Sequence, residues 1–426
     1  MSDRPTPAPA RLWRDRRFLL LLALGFSCGA PLPLAAGQVL RQWFTESGLS
    51  LAAIGLTALI GLAYANKFLW SPALDALPAP LRLGQRRGWL LPIQALLACA
   101  ILGIAATDPT TGATATVTLA VVVAFLSASQ DIVVDAWRIE MLGEDEEAQA
   151  YGLAAYVWGY RLALLAAGAG TLLLVQFIDW SGAYAAAAAL MLPGLVATLL
   201  GQEPSPRPPI VCATWFVRFI DAVWHPFLDF TRRPAWFAIL LFIALFKLGE
   251  ALAGVMTTPF YRSLGFTRED VATVATIFGM VAVLAGALAG GWLVGRIGVA
   301  CALVLTGLGQ MLSNLMYVAL DRAGHSMPML WAQVGVENFT DGLADAAFLT
   351  YLAGLTNRSF TATQYALLSS LAAVPLRTLG ASAGVLAQAL GWTPFFLLTT
   401  VAALPAMAIM LWLLRRHPPE PRGANT

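Results

Sequence analysis

The chain has 426 residues, of which 58% are hydrophobic and 12% are charged, and its mean hydropathy is +0.71. Because a soluble domain is about one quarter charged, this composition excludes an ordinary soluble protein, while the net charge of +2 says little by itself. Apolar runs of about 20 residues, long enough to cross a bilayer, recur along the whole length. The predicted fold class is an all-α polytopic membrane protein.

The first apolar run follows Arg14, Arg16 and Arg17 and could be mistaken for a signal peptide. It continues to about Val39, which is long enough to span a membrane, and it has no convincing cleavage site. We therefore predict that it is the first transmembrane helix.

Twelve helices are predicted from the apolar runs, six on each side of a proline-rich segment. The ranges are 17–40, 50–75, 88–106, 115–139, 149–176, 182–200, 235–260, 269–296, 299–320, 327–355, 361–390 and 393–415. The predicted domains are an N-terminal six-helix bundle (1–200), a cytoplasmic linker (201–234), and a C-terminal six-helix bundle with a short cytoplasmic tail (235–426). Aromatic and apolar residues at helical spacing predict an amphipathic surface helix within the linker.

Most arginines in the short loops fall on the side of the N-terminus in this assignment. Positive charge concentrates on the cytoplasmic side of membrane proteins, so both termini are predicted to be cytoplasmic. The four cysteines have no paired spacing and only three histidines are present, so we expect no metal, no disulfide and no cofactor.

The fourth predicted helix carries Ser127, Asp131, Asp135 and Arg138 at spacings of three or four residues, which places them on one face. Carboxylates in a membrane span are costly unless they face protein, water or a partner charge. Asp131 lies about one turn deeper than Asp135 and is the better candidate for binding a proton. Asp135 is either a cavity residue or part of a cytoplasmic gate, paired with Arg138 or with the basic loop that follows the second helix.

Other charged residues interrupt other predicted spans. Lys247 and Glu250 are three residues apart and can pair on one helix face, and Glu337 and Asp341 repeat the four-residue spacing of the fourth helix. Either these charges neutralise one another and fix helix packing, or some line a cavity and bind substrate or protons. Glycines in the spans, among them Gly159, Gly286 and Gly291, are predicted to allow close helix packing.

Two loops are similar to a known motif. Asp75 with Gly84-Gln-Arg-Arg-Gly88, and Gly290-Gly-Trp-Leu-Val-Gly-Arg-Ile-Gly298, both resemble the Gly-x-x-x-Asp-Arg/Lys-x-Gly-Arg-Arg loop of the major facilitator superfamily. The first copy has inserted residues and the second lacks its aspartate. The resemblance implies a major facilitator fold, with two six-helix bundles around a central cavity that opens alternately to each side.

A narrower resemblance covers about residues 18 to 415. Ser127-Ala-Ser-Gln-Asp-Ile-Val-Val-Asp-Ala-Trp137, Lys67-Phe-Leu-Trp-Ser-Pro72, Gly159-Tyr-Arg-Leu162 and Ser359-Phe-Thr-Ala-Thr-Gln-Tyr-Ala-Leu-Leu-Ser369 resemble AmpG-type muropeptide permeases. Asp341 and Asp345 depart from that family, where small residues are usual, so the ligand range could differ. The family implies a proton-driven inner-membrane importer of anhydro-muropeptides, which serves peptidoglycan recycling and β-lactamase induction.

The resemblance and the buried charges together give the candidate sites. Proton coupling is assigned to Asp131, Asp135 and Glu337. Substrate binding is assigned to Gln130, Lys67, Arg161, Lys247, Glu250, Asn338 and Arg377. A cytoplasmic gate is assigned to Asp75, Arg86, Arg87 and Arg138. The expected partners are a muropeptide, protons and the lipid bilayer, with no nucleic acid, and the chain is expected to be a monomer.

Three other functions remain open at this point. A transporter of another anionic solute, such as acetyl-CoA, would use the same buried cations. A membrane-embedded enzyme, such as a lipid-linked sugar transferase, would need a metal ligand set or a nucleophile with its base, and the sequence shows neither. A signalling receptor is the third alternative.

Overall fold

The computed structural model describes residues 16–142, 146–203, 228, 230–355 and 361–416. The described residues are mostly helical, as expected for a chain that must satisfy its backbone polar groups inside a bilayer. Among them, nine helical runs are long and apolar enough to span a membrane. The all-α polytopic fold is confirmed, whereas the count of twelve helices stays a prediction.

The chain divides into two compact units, and the first consists of Met1–Ser47 and Lys67–Trp215. Its α-helices are Arg16–Gly29, Pro31–Ala35, Gln38–Glu46, Ser71–Ala76, Gln85–Ala105, Ala113–Leu142, Glu146–Leu164, Thr171–Leu174, Trp180–Ala188 and Leu192–Leu200. Short 3₁₀ segments at Lys67–Leu69 and Ala189–Met191 and a π-helical segment at Leu165–Gly170 complete it.

The second unit consists of Gly48–Asn66 and Phe216–Thr426. Its α-helices are Leu51–Leu56, Leu62–Ala65, Trp236–Leu245, Leu248–Ser263, Arg268–Asp270, Gly279–Ser313, Leu315–Ala323, Met327–Gly354, Thr361–Gly380, Ala383–Leu390, Trp392–Ala402 and Leu404–Arg416. Thr57–Gly61 is a 3₁₀ segment and Val271–Phe278 is π-helical. The segment Gly48–Asn66 is grouped here although it precedes most of the first unit in sequence, and the domain boundaries predicted from sequence stay a prediction.

The second predicted helix, 50–75, is not continuous. It alternates between α-helical and 3₁₀ segments and breaks at Asn66, whose side chain donates to the Leu62 carbonyl oxygen at 2.9 Å. Pro72 has no N–H to continue the hydrogen-bond ladder across the following break. The first predicted helix likewise breaks near Pro31 and Pro33 and continues to Glu46, beyond its predicted end.

Several helices begin where a polar side chain caps the backbone. Ser50 accepts from the Ala53 N–H at 3.3 Å, and Asp179 accepts from the Gly182 N–H at 2.7 Å. Thr267 and Asp270 form a reciprocal capping box. Such caps satisfy backbone donors that have no partner inside the helix, and all three lie near helix starts predicted from sequence.

Some of the predicted packing glycines lie at close helix contacts. A Cβ atom on Gly159 would lie 2.0 Å from the Leu22 carbonyl oxygen, and one on Gly286 would lie 2.1 Å from the Phe339 carbonyl oxygen. By contrast, a Cβ on Gly291 would meet nothing within 4 Å. Close helix packing is therefore confirmed at Gly159 and Gly286, whereas Gly291 lies outside any such contact among the described residues.

The second unit has an aromatic core beside its charged residues. Phe242, Phe246 and Phe348 are buried together, and the rings of Phe246 and Phe348 stack with centroids 4.8 Å apart. Since Phe246 directly precedes Lys247, this packing fixes the point at which the Lys247 side chain leaves the helix. The predicted amphipathic helix of the linker lies almost entirely outside the described residues.

Candidate functional site: two lysine-centred charge clusters

The break in the second predicted helix places Lys67 opposite the helix Ala113–Leu142. Its Nζ lies 3.7 Å from Asp131 Oδ2 and 4.0 Å from Asp135 Oδ2, and Asp135 Oδ1 lies 3.6 Å from Arg138. We call Lys67, Asp131, Asp135 and Arg138 the first cluster. It contains two cations and two carboxylates, so its charges balance, and all of its contacts are at the long end for ion pairs.

Asp131 is the most enclosed carboxylate of the first cluster. Only 11% of its side chain is exposed, against 41% for Asp135 and 35% for Lys67. Asp131 Oδ1 and the nearby Ser127 Oγ have no hydrogen-bond partner among the described residues. Because the uncharged form of a carboxyl avoids the cost of desolvation, Asp131 has the surroundings of a group that can bind a proton.

Gln130 packs against the helix Arg16–Gly29. It is fully buried, and its Nε2 donates to Ser27 Oγ at 3.3 Å and to Cys28 Sγ at 3.2 Å. Its assignment to substrate binding stays a prediction, and the contacts it makes are contacts between helices.

Arg86 and Arg87, the two arginines of the predicted gate loop, contact other residues of the first unit. Arg86 forms a two-pronged pair with Glu140, with contacts of 3.0 and 2.6 Å, and both side chains are nearly buried. Arg87 donates to the carbonyl oxygens of Thr198 and Leu199, at the end of Leu192–Leu200.

Glu203 completes this arrangement, since its carboxylate accepts from the backbone N–H groups of Arg86 and Arg87 at 2.7 and 3.1 Å. A carboxylate is stabilised at a helix N-terminus by the exposed N–H groups. The structure thus places Arg138 with Asp135, while Arg86 and Arg87 are held by other groups. The side chain of Asp75 lies outside the described ones.

The second unit contains a tighter cluster around Lys247. Its Nζ lies 3.0 Å from Glu250 Oε2, 2.7 Å from Asp341 Oδ1 and 2.5 Å from Asp345 Oδ1. Gln310 Nε2 donates to Glu250 Oε2 at 2.6 Å and to Asp341 Oδ1 at 3.1 Å. We call Lys247, Glu250, Asp341, Asp345 and Gln310 the second cluster. The predicted pairing of Lys247 with Glu250 is present.

Glu337 lies one turn from Asp341 on Met327–Gly354, in a separate hydrogen-bonded group. Its carboxylate accepts from Gln333 Nε2 at 3.3 Å, and Gln333 Oε1 accepts from the Tyr261 hydroxyl at 2.6 Å. Nearby in the second unit, the hydroxyls of Tyr317 and Thr257 lie 3.0 Å apart. Asn338, on the same helix, donates to the Val334 carbonyl oxygen at 2.9 Å and lies against Gly279.

The two predicted arginines of the spans have different surroundings. Arg161 is half-buried and makes no hydrogen bond or ion pair with the part of the chain that the structure describes. The Arg377 guanidinium lies against Gly61, where a Cβ would be 2.7 Å from its Nε. The two cations therefore differ in their contacts within the part of the chain that the structure describes.

Sequence reasoning missed Glu140, Glu203 and Gln310. Glu140 lies 54 positions from Arg86 and Glu203 lies 117 positions from it, so no local spacing connects them. Gln310 is uncharged, and an amide in a long apolar run gives a weak signal. Its appearance within a predicted span was the one feature that could have identified it.

Comparison with known proteins agrees with this architecture. The model of the Major Facilitator Superfamily matches residues 18–375 and 248–426. In crystal structures, the nucleoside transporter NupG gives a TM-score of 0.69 at 13% identity, over 93% of this chain and 98% of that chain. A bacterial homologue of the human lysosomal transporter Spinster gives 0.69 at 15% identity, over 96% and 98%. Identities this low show the fold alone.

Curated relatives are more similar in sequence. The chain is 40% identical over 403 residues to the anhydromuropeptide permease of Escherichia coli K12, covering 94% of this chain and 80% of that protein. It is 32% identical over 410 residues to the putative transporter AmpG 4 of Rickettsia felis, covering 95% and 98%.

Helical fold, buried charges and family match together define a multi-pass membrane transporter of the major facilitator superfamily, and not an enzyme. Within this superfamily, the chain belongs to the AmpG-type muropeptide permeases.

Proposed function

We propose that this protein is a proton-coupled importer of anhydro-muropeptides, taking GlcNAc-1,6-anhydroMurNAc with or without its stem peptide into the cytoplasm for peptidoglycan recycling. The observation that carries the proposal is the 40% identity over 94% of the chain to a permease named for that substrate. Transport would occur by alternating access, in the bacterial inner membrane, with both termini cytoplasmic and the protein a monomer.

The carboxylates of the ligand favour a binding site that contains buried cations. A stem peptide carries carboxylates, and moving one negative charge into a negative cytoplasm costs about 2.3 kcal/mol per 100 mV. Arg161 is the first candidate partner for a ligand carboxylate, because the residue is half-buried and has no ion pair among the described residues. Lys67, with 35% of its side chain exposed and only long contacts, is the second.

Lys247 is a weaker candidate for direct ligand binding than the sequence indicates. Three carboxyl groups already lie within 3.0 Å of its ammonium group, so its hydrogen-bond donors are engaged within the protein. Glu250, Asn338, Gln130 and Arg377 stay in the proposed substrate-binding set on the strength of the family resemblance.

Co-transported protons offset the cost of moving an anion, and Asp131 is the proposed carrier in the first unit. Its ionised form is held by Lys67 at 3.7 Å, while its uncharged form is favoured by burial. A proton taken up from the periplasm and released to the cytoplasm would couple the gradient to import. Asp135 and Glu337 are the further proposed coupling residues.

The proposed cytoplasmic gate comprises Asp75, Arg86, Arg87 and Arg138. What supports it is the concentration of charged contacts at the start of Gln85–Ala105, where Glu140 and Glu203 hold the two arginines. Arg138 would contribute through its contact with Asp135.

Uptake into proteoliposomes tests the substrate. Purified protein is reconstituted, an inward proton gradient is imposed, and labelled anhydro-disaccharide peptide is offered with unlabelled competitors. We expect accumulation that is competed by anhydro-muropeptide and not by free peptide or acetyl-CoA. Competition by acetyl-CoA alone would overturn the proposal and indicate the other anionic substrate. An enzyme would modify the label, and a receptor would bind it without accumulating it.

A further inference from the structure

The interior of the first unit contains buried polar atoms that no protein group satisfies. Ser127 Oγ, Gln130 Oε1 and Asp131 Oδ1 have no hydrogen-bond partner among the described residues, and all three residues are buried. They lie within about one turn of one helix, at spacings of three and four that make Ser127 a neighbour of the other two. Because an unpaired polar atom in a protein interior is costly, three of them in one turn indicate a missing partner.

Gln130 connects this group to the neighbouring helix Arg16–Gly29. Its Nε2 donates to Ser27 Oγ at 3.3 Å and to Cys28 Sγ at 3.2 Å. Reversing the amide would leave its nitrogen unpaired in place of its oxygen, so either orientation leaves one buried polar atom of Gln130 without a partner.

Gln94 is a second incompletely paired amide, on the other side of Ser27. Its Oε1 accepts from Thr198 Oγ1 at 3.0 Å, whereas its Nε2 is buried with no partner in the described part of the chain. A Cβ atom on Gly194 would lie 2.3 Å from Ser27 Oγ and 3.1 Å from Gln94 Nε2. The two polar atoms therefore lie beside the same glycine without bonding to each other, an arrangement that one bridging water completes.

These side chains form a continuous row through the unit. The backbone carbonyl oxygen of Thr198 accepts from Arg87 Nε at 3.0 Å, so the row ends at the basic loop of the predicted gate. Arg16–Gly29 and Gln85–Ala105 each pack against both of the other two helices that contribute to it. We call the following residues the polar row: Asp131, Ser127, Gln130, Ser27, Gln94 and Thr198.

The charges nearby favour a neutral occupant. Carboxylate, amide and hydroxyl oxygens are also cation ligands, but Lys67 Nζ already lies 3.7 Å from Asp131 Oδ2 and Arg138 lies 3.6 Å from Asp135 Oδ1. A further cation would leave excess positive charge inside a membrane-spanning unit, which is costly. Water donates and accepts, so it matches both the unpaired oxygens and the unpaired amide nitrogen of Gln94.

We propose that the polar row binds internal waters, one group beside the Asp131 carboxyl and one between Ser27 and Gln94. These waters join Asp131 to Thr198 and Arg87 through the interior of the first unit. Asp131 thereby contacts water on the inner side of the bundle, in addition to its contacts within the first cluster. Use of these waters to exchange the Asp131 proton rests on the proposed function, whereas their presence does not.

Cys28 reports on this water, because it is buried and its Sγ lies 3.2 Å from Gln130 Nε2. The stretching band of a thiol S–H is isolated in the infrared spectrum and shifts when deuterium replaces the hydrogen. Cys99→Ser, Cys212→Ser and Cys301→Ser leave Cys28 as the one thiol of the full-length chain. The purified protein is transferred to D₂O and the conversion of the band is followed in time.

A thiol in an apolar part of the same helix is the matched control. Leu21 is buried, and a Cβ on Gly152 would contact the side chains of both Leu21 and Leu142. Leu21→Cys combined with Cys28→Ala places the one thiol there. A buried thiol without neighbouring water exchanges only when the helices open, so Cys28 should exchange faster by on the order of tenfold or more. Equal rates at the two positions would overturn the proposal.

Two substitutions in the polar row test where the water is held. Gln94→Leu and Ser27→Ala each remove a polar partner of the bridging water, so either should slow the exchange of Cys28 several-fold. Gln176→Leu makes the first change at an exposed position and should leave the rate unchanged. Elution profile and circular dichroism identify the folded variants, and the comparison of Cys28 with Leu21→Cys holds without them. An unchanged rate in the folded row variants would contradict the assignment.

Two further measurements separate water from a cation and from transport. Replacement of sodium by choline should leave the exchange of Cys28 unchanged, whereas a sodium-dependent rate would indicate a bound cation and overturn the proposal. Gradient-driven uptake of muropeptide is measured on the same preparations. Fast exchange of Cys28 without any uptake by the wild type would refute the proposed function and support the water site. Slow exchange with normal uptake would refute the water site alone.

Discussion

Each unit sets one lysine against two aspartates four residues apart on a single helix, yet the two arrangements differ in contact and in charge. In the first cluster, Lys67 lies 3.7 and 4.0 Å from Asp131 and Asp135. In the second, Lys247 lies 2.7 and 2.5 Å from Asp341 and Asp345, and Glu250 adds a third carboxylate at 3.0 Å.

The two clusters therefore differ in how firmly their charged groups are held. The first cluster is balanced, loose and partly open, so its ion pairs can separate at small cost. The second is tight, and the ammonium group of its lysine is held by three carboxylates. The same spacing of aspartates along a helix therefore has different surroundings in the two units.

The largest expected effect comes from removing Lys247, and the matched change at Lys67 should be much smaller. Removal of one partner from a buried pair costs about 3–5 kcal/mol, so Lys247→Met should lower the free energy of unfolding by about that amount. Lys67, with 35% of its side chain exposed, should cost about 1 kcal/mol or less on substitution to Met. Denaturant unfolding of both variants in the same detergent, followed by circular dichroism, measures the two values.

The pH dependence of Lys247→Met has a definite sign. Unpaired carboxylates destabilise the folded variant only while ionised, so its deficit should be greatest at high pH and should shrink as the pH falls and protons bind. Equal losses for the two lysine variants, or a deficit that grows at low pH, would contradict the distinction between the clusters.

Part of this comparison could be predicted from sequence. Lys247 and Glu250 are three residues apart, and Asp131 and Asp135 are four apart, so helix periodicity alone places each pair on one face. The match of Lys67 with Asp131 and of Lys247 with Asp341 is a tertiary contact that periodicity does not contain. The break at Asn66, which positions Lys67, was missed because apolar composition alone favoured one continuous helix over 50–75.

Asp131→Asn tests the proposed use of the first cluster. Asparagine keeps the shape and hydrogen bonding of the side chain but mimics a permanently protonated carboxyl. We expect ligand binding and exchange across the membrane to persist while gradient-driven accumulation is lost. Wild-type affinity should fall as rising pH removes the proton, and the variant should lack that dependence. Counterflow and binding in proteoliposomes across neutral pH measure both.

Asp179→Asn is the matched control, because the same change is made at an exposed helix cap where asparagine is as good as aspartate. It should leave accumulation unchanged. If Asp131→Asn still accumulates ligand against its gradient, coupling lies elsewhere, and Glu337 becomes the next residue to examine.

Arg87→Ala tests whether the basic loop of the first unit controls movement. Its guanidinium holds two carbonyl oxygens at the end of Leu192–Leu200, so its loss should slow transport while ligand affinity stays within a few-fold. Arg86→Ala is the contrast, since it leaves Glu140 buried without its two-pronged partner and should lower stability as well. An unchanged transport rate in folded Arg87→Ala would oppose the gate assignment.

The smallest expected effects are those of the two outer aspartates, and their relative size should distinguish the two clusters. Asp135 and Asp345 are the outer aspartates of the two clusters, and each has 41% of its side chain exposed. Asp135→Asn removes a carboxylate from a balanced set and leaves Lys67 and Arg138 facing Asp131 alone, so stability should fall. Asp345→Asn leaves Lys247 with Glu250 at 3.0 Å and Asp341 at 2.7 Å, so stability should fall less. Because both groups are well exposed, each change in the free energy of unfolding should be within about 1 kcal/mol.

The two variants should be compared at low and high salt. Screening should bring their two changes in stability together as salt increases. A loss of stability in Asp345→Asn as large as that in Asp135→Asn would show that both clusters respond alike to the loss of an outer carboxylate, and would contradict the distinction between them.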